Sequence, residues 1–398
     1  MKRVVSGLFV GAMVTLSSSA FGAEAVRIGV ITDMSGPYSD LVGPGFVTAV
    51  TMATEDFGGK VLDRPIEVLA ADDQTKPDIA MTKAREWYDR NDVQVLFEGS
   101  NSATAVALQR LGLERKKITF LFSGTSALTN KDCSPYGIQY AWDTYSLANG
   151  TANAITRSGA DSWFFVTADY TFGKSMEADA SSAVERLGGK VLGKVRHPIN
   201  SSDFASFILA AQQAGATVVA LANAGRDTQN SLRQAVEFGL QSKQRLVPLL
   251  VFDTDIKAMG LTLTQGISFT TAYCWDYDDE TRAFARRFFE RHKSMPTMTQ
   301  AGVYSAALHY LKAVAKVETL ESEAVMAEMK KSKVNDFFGR GGYIRADGRM
   351  VHDMYLVEVK KPSESKEPWD IAKVRQVIPG EEAVAPLEKS SCPFLEKR

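Results

Sequence analysis

Two short loops in this sequence gather the groups needed to hold an anion. Gly99-Ser-Asn-Ser102 and Ser123-Gly-Thr-Ser126 combine hydroxyls, an amide and glycines. The first runs straight into a helical stretch near Ala103, and a helix start offers free backbone N–H groups with a partial positive charge. Asn101 and Ser102 would add side-chain donors, and Thr125 and Ser126 repeat the arrangement one strand later. The same residue types are good helix N-caps, and the two roles are compatible. Asp253 is a candidate acceptor for an amine, amide or hydroxyl, or a cap for the helix after Thr254. Asn223 occupies a similar post-strand position. Tyr38, Tyr170, Phe172, Tyr273 and Trp275 fall in loops, where aromatic rings can wall an apolar pocket or pack into the core.

Signals for catalysis are missing from the sequence. It contains no G-x-S-x-G, Walker loop, H-E-x-x-H or C-x-x-C. His197, His292, His309 and His352 share no metal-ligand spacing. The expectation is a binding protein with no catalytic residues, no metal and no cofactor.

These loops need a frame that brings them to one place. Short β-rich runs alternate with helical patterns from Val26 onward: Val26–Thr32, Ile66–Ala71, Val93–Phe97 and Ile118–Phe122, then Ser162–Thr167, Lys190–Arg196, Thr217–Ala222 and Leu246–Phe252. Most are continuously apolar, as parallel strands covered on both faces are. Between them, Met176, Ala180, Ala183, Val184 and Leu187 keep a helical period, and Gly188-Gly189 ends it. Strand–helix–strand units of this kind build a doubly wound sheet. Two series of four predict an α/β protein of two Rossmann-like lobes, each with ligand loops beyond the carboxyl ends of its strands.

The expected boundaries are 24–140 with 274–340 for the first lobe, and 141–273 with 341–360 for the second. Helices at Asp279–His292 and Thr299–Val317 rejoin the first lobe. Gly341–Lys360 reads as a hairpin turning at Asp347-Gly348. Residues 361–398 read as an extended tail.

The chain has 398 residues, 45% of them apolar and 23% charged, with a formal net charge of -1. That suits an ordinary folded protein with no global attraction to nucleic acid. Residues 1–23 read as a cleaved secretory signal: basic Lys2 and Arg3, the apolar run Val4–Leu16, then small residues around Ala20 and Gly22. No later stretch reads as a membrane span, so the mature protein is expected in the periplasm and not inserted in the membrane. Export permits a bridge between Cys133 and Cys392, both in turn-like stretches, with Cys274 left over; three free thiols are the alternative.

The motifs in order resemble those of type I periplasmic solute-binding proteins of ABC importers, in the branched-chain amino acid (Leu/Ile/Val)-binding family. They are Met34-Ser-Gly-Pro37, Asp72-Asp-Gln-Thr-Lys-Pro77, Gly99-Ser-Asn-Ser102, Ser123-Gly124, Tyr170-Thr-Phe-Gly173 and Leu232-Arg-Gln-Ala235 with Gly239. The likeness runs from about Val26 to Val359. It implies two lobes with three crossovers and a hinge that closes on a ligand. It also implies that Asn101, Ser102, Thr125 and Ser126 hold a ligand carboxylate, that Asp253 holds an ammonium group and that Tyr38 is the first-loop aromatic. The sequence departs from the amino-acid pattern at Asn101, where serine is usual. It departs again at Phe172, where tyrosine is common, and at Ala224-Gly225, where a tyrosine is missing. The resemblance therefore implies a monomer that carries a small carboxylate, either an amino acid or an aromatic or branched acid, to a membrane permease. A periplasmic sensor or receptor subunit is the alternative on the same fold.

Overall fold

The first run of strands forms one sheet, in which Val26–Thr32, Val93–Gly99 and Ile118–Leu121 are almost wholly buried and Arg64–Asp72 is partly exposed. In the computed structural model, which describes residues 24–395, this sheet contains β1 (Val26–Thr32), β2 (Lys60–Val61), β3 (Arg64–Asp72), β4 (Val93–Gly99), β5 (Ile118–Leu121) and β6 (Gly137–Gln139). The order is β2-β3-β1-β4-β5-β6, parallel except for the β2–β3 pair. Helices α1 (Gly43–Asp56), α2 (Pro77–Arg90) and α3 (Ser102–Arg115) connect these strands. The leader expected at residues 1–23 lies outside the described residues.

The chain then crosses to a second lobe through Tyr140–Asp143, where Asp143 caps α4 (Thr144–Arg157) by accepting from the Ser146 amide at 2.6 Å. The parallel sheet of this lobe has the order β10-β9-β7-β8. Its strands are β7 (Ser162–Ala168), β8 (Lys190–His197), β9 (Val218–Ala222) and β10 (Arg245–Pro248). They alternate with α5 (Thr171–Arg186), α6 (Ala205–Ala214) and α7 (Arg226–Glu237), followed by α8 (Asp253–Met259) and α9 (Leu261–Thr264). Strand β11 (Ser268–Thr271) completes this pass. Three helices, α10 (Asp279–His292), α11 (Met298–Val317) and α12 (Ser322–Lys331), then pack on the first lobe. For example, Gln300 of α11 donates to the Val42 carbonyl, and Tyr304 donates to Asp56 of α1.

The C-terminal quarter differs from the sequence expectation. The hairpin is short: β12 (Tyr343–Ile344) pairs with β13 (Met350–Val351). It sits with the first lobe, where Lys330 of α12 donates to Ala346 and the Gln139 amide to Gly348. Only β14 (Met354–Val359) enters the second lobe, in an antiparallel sheet of order β11-β14-β15. Residues 361–398 are therefore not an extended tail, because β15 (Ala372–Ile378) is the edge strand of that sheet. Its side chains are half-buried or exposed up to Ile378 and show no alternation, which makes it hard to see in a segment rich in charge and proline. After α13 (Gly380–Ala383) the chain returns to the first lobe, where Cys392 is bonded to Cys133 with a Cα–Cα distance of 5.5 Å. Ser390 and Ser391 bond Thr129 and Asn130 beside it.

A bridge spanning 259 residues restricts the unfolded chain strongly, and such bonds typically contribute about 2–5 kcal/mol. Cys392→Ser is expected to lower Tm by several degrees and to expose residues after Ile378 to protease. Scanning calorimetry and limited proteolysis of the oxidised protein check both.

Candidate functional site

Parallel sheets concentrate ligand loops where the strand order reverses. In the first sheet that point lies between β1 and β4, and in the second between β7 and β9. The four loops leaving these strands face one another across a narrow space of about 370 Å³ counting its mouth. Tyr38 and Leu41 follow β1, Ser100–Ser102 follow β4, Tyr170 and Phe172 follow β7, and Ala224 follows β9. Phe122, Ser123 and Gly124 after β5 add to the first wall, and Leu250 and Phe252 after β10 to the second. Trp142, on the crossing segment, closes one side.

The lobes touch directly here. Tyr38 and Tyr170 share a hydrogen bond of 2.7 Å between their hydroxyls. Burial holds both phenols in the protonated form. One proton occupies the shared bond, which leaves the other for a further acceptor. Trp142 meets Phe172 edge-on at 6.2 Å. Gly124 is required at this contact, since a Cβ there would lie 2.4 Å from the Trp142 ring and 3.0 Å from Phe172. Gly225 has φ +56° and faces Pro37 and Tyr38, so any side chain would meet both strain and the first lobe.

The polar end of the cavity is built on α3. Asn101 is the N-cap, with its side-chain oxygen accepting from the Ala103 and Thr104 amides at 2.9 and 3.0 Å. Its amide nitrogen donates to the Thr75 carbonyl. The cap reading thus accounts for the whole side chain, although Asn101 does line the cavity. The backbone amides of Ser102 and Gly124 have no acceptor among the described residues. Ser102 Oγ accepts from the Thr125 amide at 3.2 Å. Below this cradle lies Glu98, fully buried. It accepts from Ser123 Oγ at 2.6 Å, and from the Ser100 and Phe122 amides. Burial without a cationic partner pushes its carboxyl up to about 8. The indole Nε1 of Trp142 is buried with no hydrogen-bond partner among the described residues.

Five sequence candidates meet at the cavity: Tyr38, Asn101, Ser102, Tyr170 and Phe172. The other five lie elsewhere. Thr125 pairs with Ser175 of α5 at 2.7 Å, and Ser126 donates to Asp179 of α5 at 2.9 Å. They join lobe to lobe beside the cavity and do not line it. Asn223 is buried inside the second lobe, bonded to His197, Ser231 and Thr228. Tyr273 donates to the Thr281 carbonyl and packs on Phe284 and Phe337. Asp253 faces a different pocket, because Leu250 and Phe252, two residues apart, take the cleft-facing side of the segment. Trp142, Leu250 and Phe252 went unnoticed as site residues in the sequence, whereas Ser100 lies in the first of the two loops read there. Trp142 follows β6, a three-residue strand that the sequence pattern does not reveal, so the post-strand rule could not find it.

Residues 25–366 match the sequence profile of a family described as periplasmic binding protein. The chain belongs to that family. A solved periplasmic binding protein from Burkholderia mallei is 49% identical with TM-score 0.92, covering 94% of this chain and 100% of the other. A branched-chain amino acid ABC transporter periplasmic ligand-binding protein from Burkholderia xenovorans is 39% identical with TM-score 0.84, covering 92% and 99%. Leu/Ile/Val-binding protein homolog 6 of Brucella melitensis is 27% identical over 281 residues, 69% of this chain and 71% of the relative. Proteins of this family bind small solutes and work with ABC transporters. No helix among the described residues of this periplasmic binding protein is long and apolar enough to cross a membrane.

Gly124→Ala is expected to cost about 1–3 kcal/mol by overpacking the Trp142–Phe172 contact. Calorimetry should show a Tm lowered by several degrees, with unchanged far-UV circular dichroism.

Proposed function

We propose that this periplasmic binding protein captures a small acid without an amino group, aromatic or branched aliphatic, and delivers it to an ABC permease. One observation carries the reading: no side chain lining the cleft is charged. A carboxylate would find the N-terminus of α3, the amides of Ser102 and Gly124, and the Trp142 indole N–H. An ammonium group would be buried without a carboxylate, which is unfavourable by several kcal/mol. The rest of the wall (Leu41, Phe122, Phe172, Leu250 and Phe252) suits an apolar body.

A solute-binding protein of the same fold from Rhodopseudomonas palustris, 20% identical with TM-score 0.82, is in complex with benzoate. That likeness is one of fold, and the ligand class agrees with the chemistry of this cleft. The ligand is held and released without covalent change. Residues of both lobes contribute, so contact energy favours the closed form, which the permease would recognise. The protein acts as a monomer in the periplasm. Its lobes hinge about 140–143, 272–278 and 352–354.

A thermal-shift comparison of benzoate, isovalerate, leucine and benzamide tests the ligand class. The two acids should raise Tm by a few degrees at saturating concentration, and leucine and benzamide should not. Stabilisation by leucine that exceeds both acids would overturn the reading. Trp142→Phe should weaken the responding acid about tenfold or more, as loss of a hydrogen bond to a charged group does.

Glu98 sets a pH limit. Its carboxyl is neutral at neutral pH and gains charge as pH passes about 8, beneath the bound carboxylate. Affinity for the acid should therefore fall, by roughly tenfold for a like charge in a partly screened site, between pH 7 and 9. Glu98→Gln should flatten that profile in titration calorimetry.

A further inference from the structure

Asp253, placed outside the cleft, faces a second pocket on the second lobe, of about 890 Å³ counting its mouth. The pocket lies between the start of α8, the segment Cys274–Tyr277 and the entry to β15. Trp275, Tyr277 and Trp369 supply aromatic wall, and Val357 and Ile371 aliphatic wall.

The charges of this pocket are matched except for one. Lys360 pairs with Asp370, Lys373 with Glu358 and Glu364, and Asp276 with Arg282. Asp253 has neither an ion pair nor a hydrogen-bond donor among the described residues. Asp255, two positions on, shows the contrast: it accepts from Gln229 at 2.8 Å and from the Phe252 amide at 3.1 Å. Asp253 is partly exposed to the pocket, and a carboxylate there with no protein partner offers a counter-charge to a cation. Burial and the neighbouring Asp255 push its carboxyl up to about 7. The walls also suit a cation, since indole faces attract ammonium groups. Lys257 already rides over Trp369 with its nitrogen 5.7 Å from the ring centre.

We propose that this second pocket binds a small organic ammonium ion, its charge on the Asp253 carboxylate and its carbon skeleton against Trp275 and Trp369. The site is separate from the cleft and independent of the ligand class assigned there.

The test titrates the intact oxidised protein with n-butylammonium chloride, using potassium chloride at equal ionic strength as the control. Tryptophan fluorescence should change saturably with the amine and not with the control salt. Asp253→Asn should weaken the amine at least tenfold, and Trp369→Phe should remove most of the signal. Trp142→Phe, in the cleft, should leave the amine affinity unchanged. Affinity should rise from pH 6 to pH 8 in the native protein, as Asp253 ionises, and not in Asp253→Asn. Absence of saturable binding, equal affinity in Asp253→Asn, or loss of binding in Trp142→Phe would each overturn the proposal. Binding of acids in the cleft should be unaffected by Asp253→Asn, so failure of one site does not imply failure of the other.

Discussion

Everything about this protein follows from the polarity of parallel strands. All strands of such a sheet end on the same side, and each reversal of strand order opens a gap between two loops. The carboxyl ends of two such sheets face each other, so two gaps share one space. The side chains at the mouth are few, and backbone supplies much of the polar chemistry. Hydroxyls and amides at the start of α3 can therefore meet a negative group without a lysine or arginine in the wall.

The cradle rests on a buried acid kept neutral. Glu98 positions Ser123 and the Ser100 amide through hydrogen bonds, and burial holds its carboxyl up at about 8. A second buried polar centre lies at the crossing between lobes. Arg349 donates to the Gln139 and Tyr140 carbonyls and pairs with Asp143 at 3.3 Å. Asp143 also caps α4. One ion pair thus ties the last strand of the first sheet to the first helix of the second lobe. A buried pair of this kind fixes geometry more than it adds stability.

The sequence made the α/β lobes legible because burial on both faces leaves continuous apolar runs. Both strand series and the order of the post-strand loops could be read in this way. Strand β6 was missed because three residues carry no periodicity, and β15 because an edge strand need not be apolar. At the site, Ser102, Tyr38 and Phe172 were readable from their place after strands. The facing of a side chain was not. Asp253 and Phe252 are neighbours in sequence and serve opposite surfaces, a distinction set by the local turn into α8. Thr125 and Ser126 were read as ligand groups because the loop chemistry of a lobe-to-lobe contact is the same as that of a cradle.

The returning C-terminal segment changes the mechanics of the molecule. Three chain passages alone would let the halves both swing and twist. A fourth link, running from β15 through α13 to the bond between Cys392 and Cys133, adds one more covalent tie between the halves. Each added tie narrows the set of relative rotations open to two bodies. A narrower set favours the one arrangement in which the Tyr38 and Tyr170 hydroxyls meet.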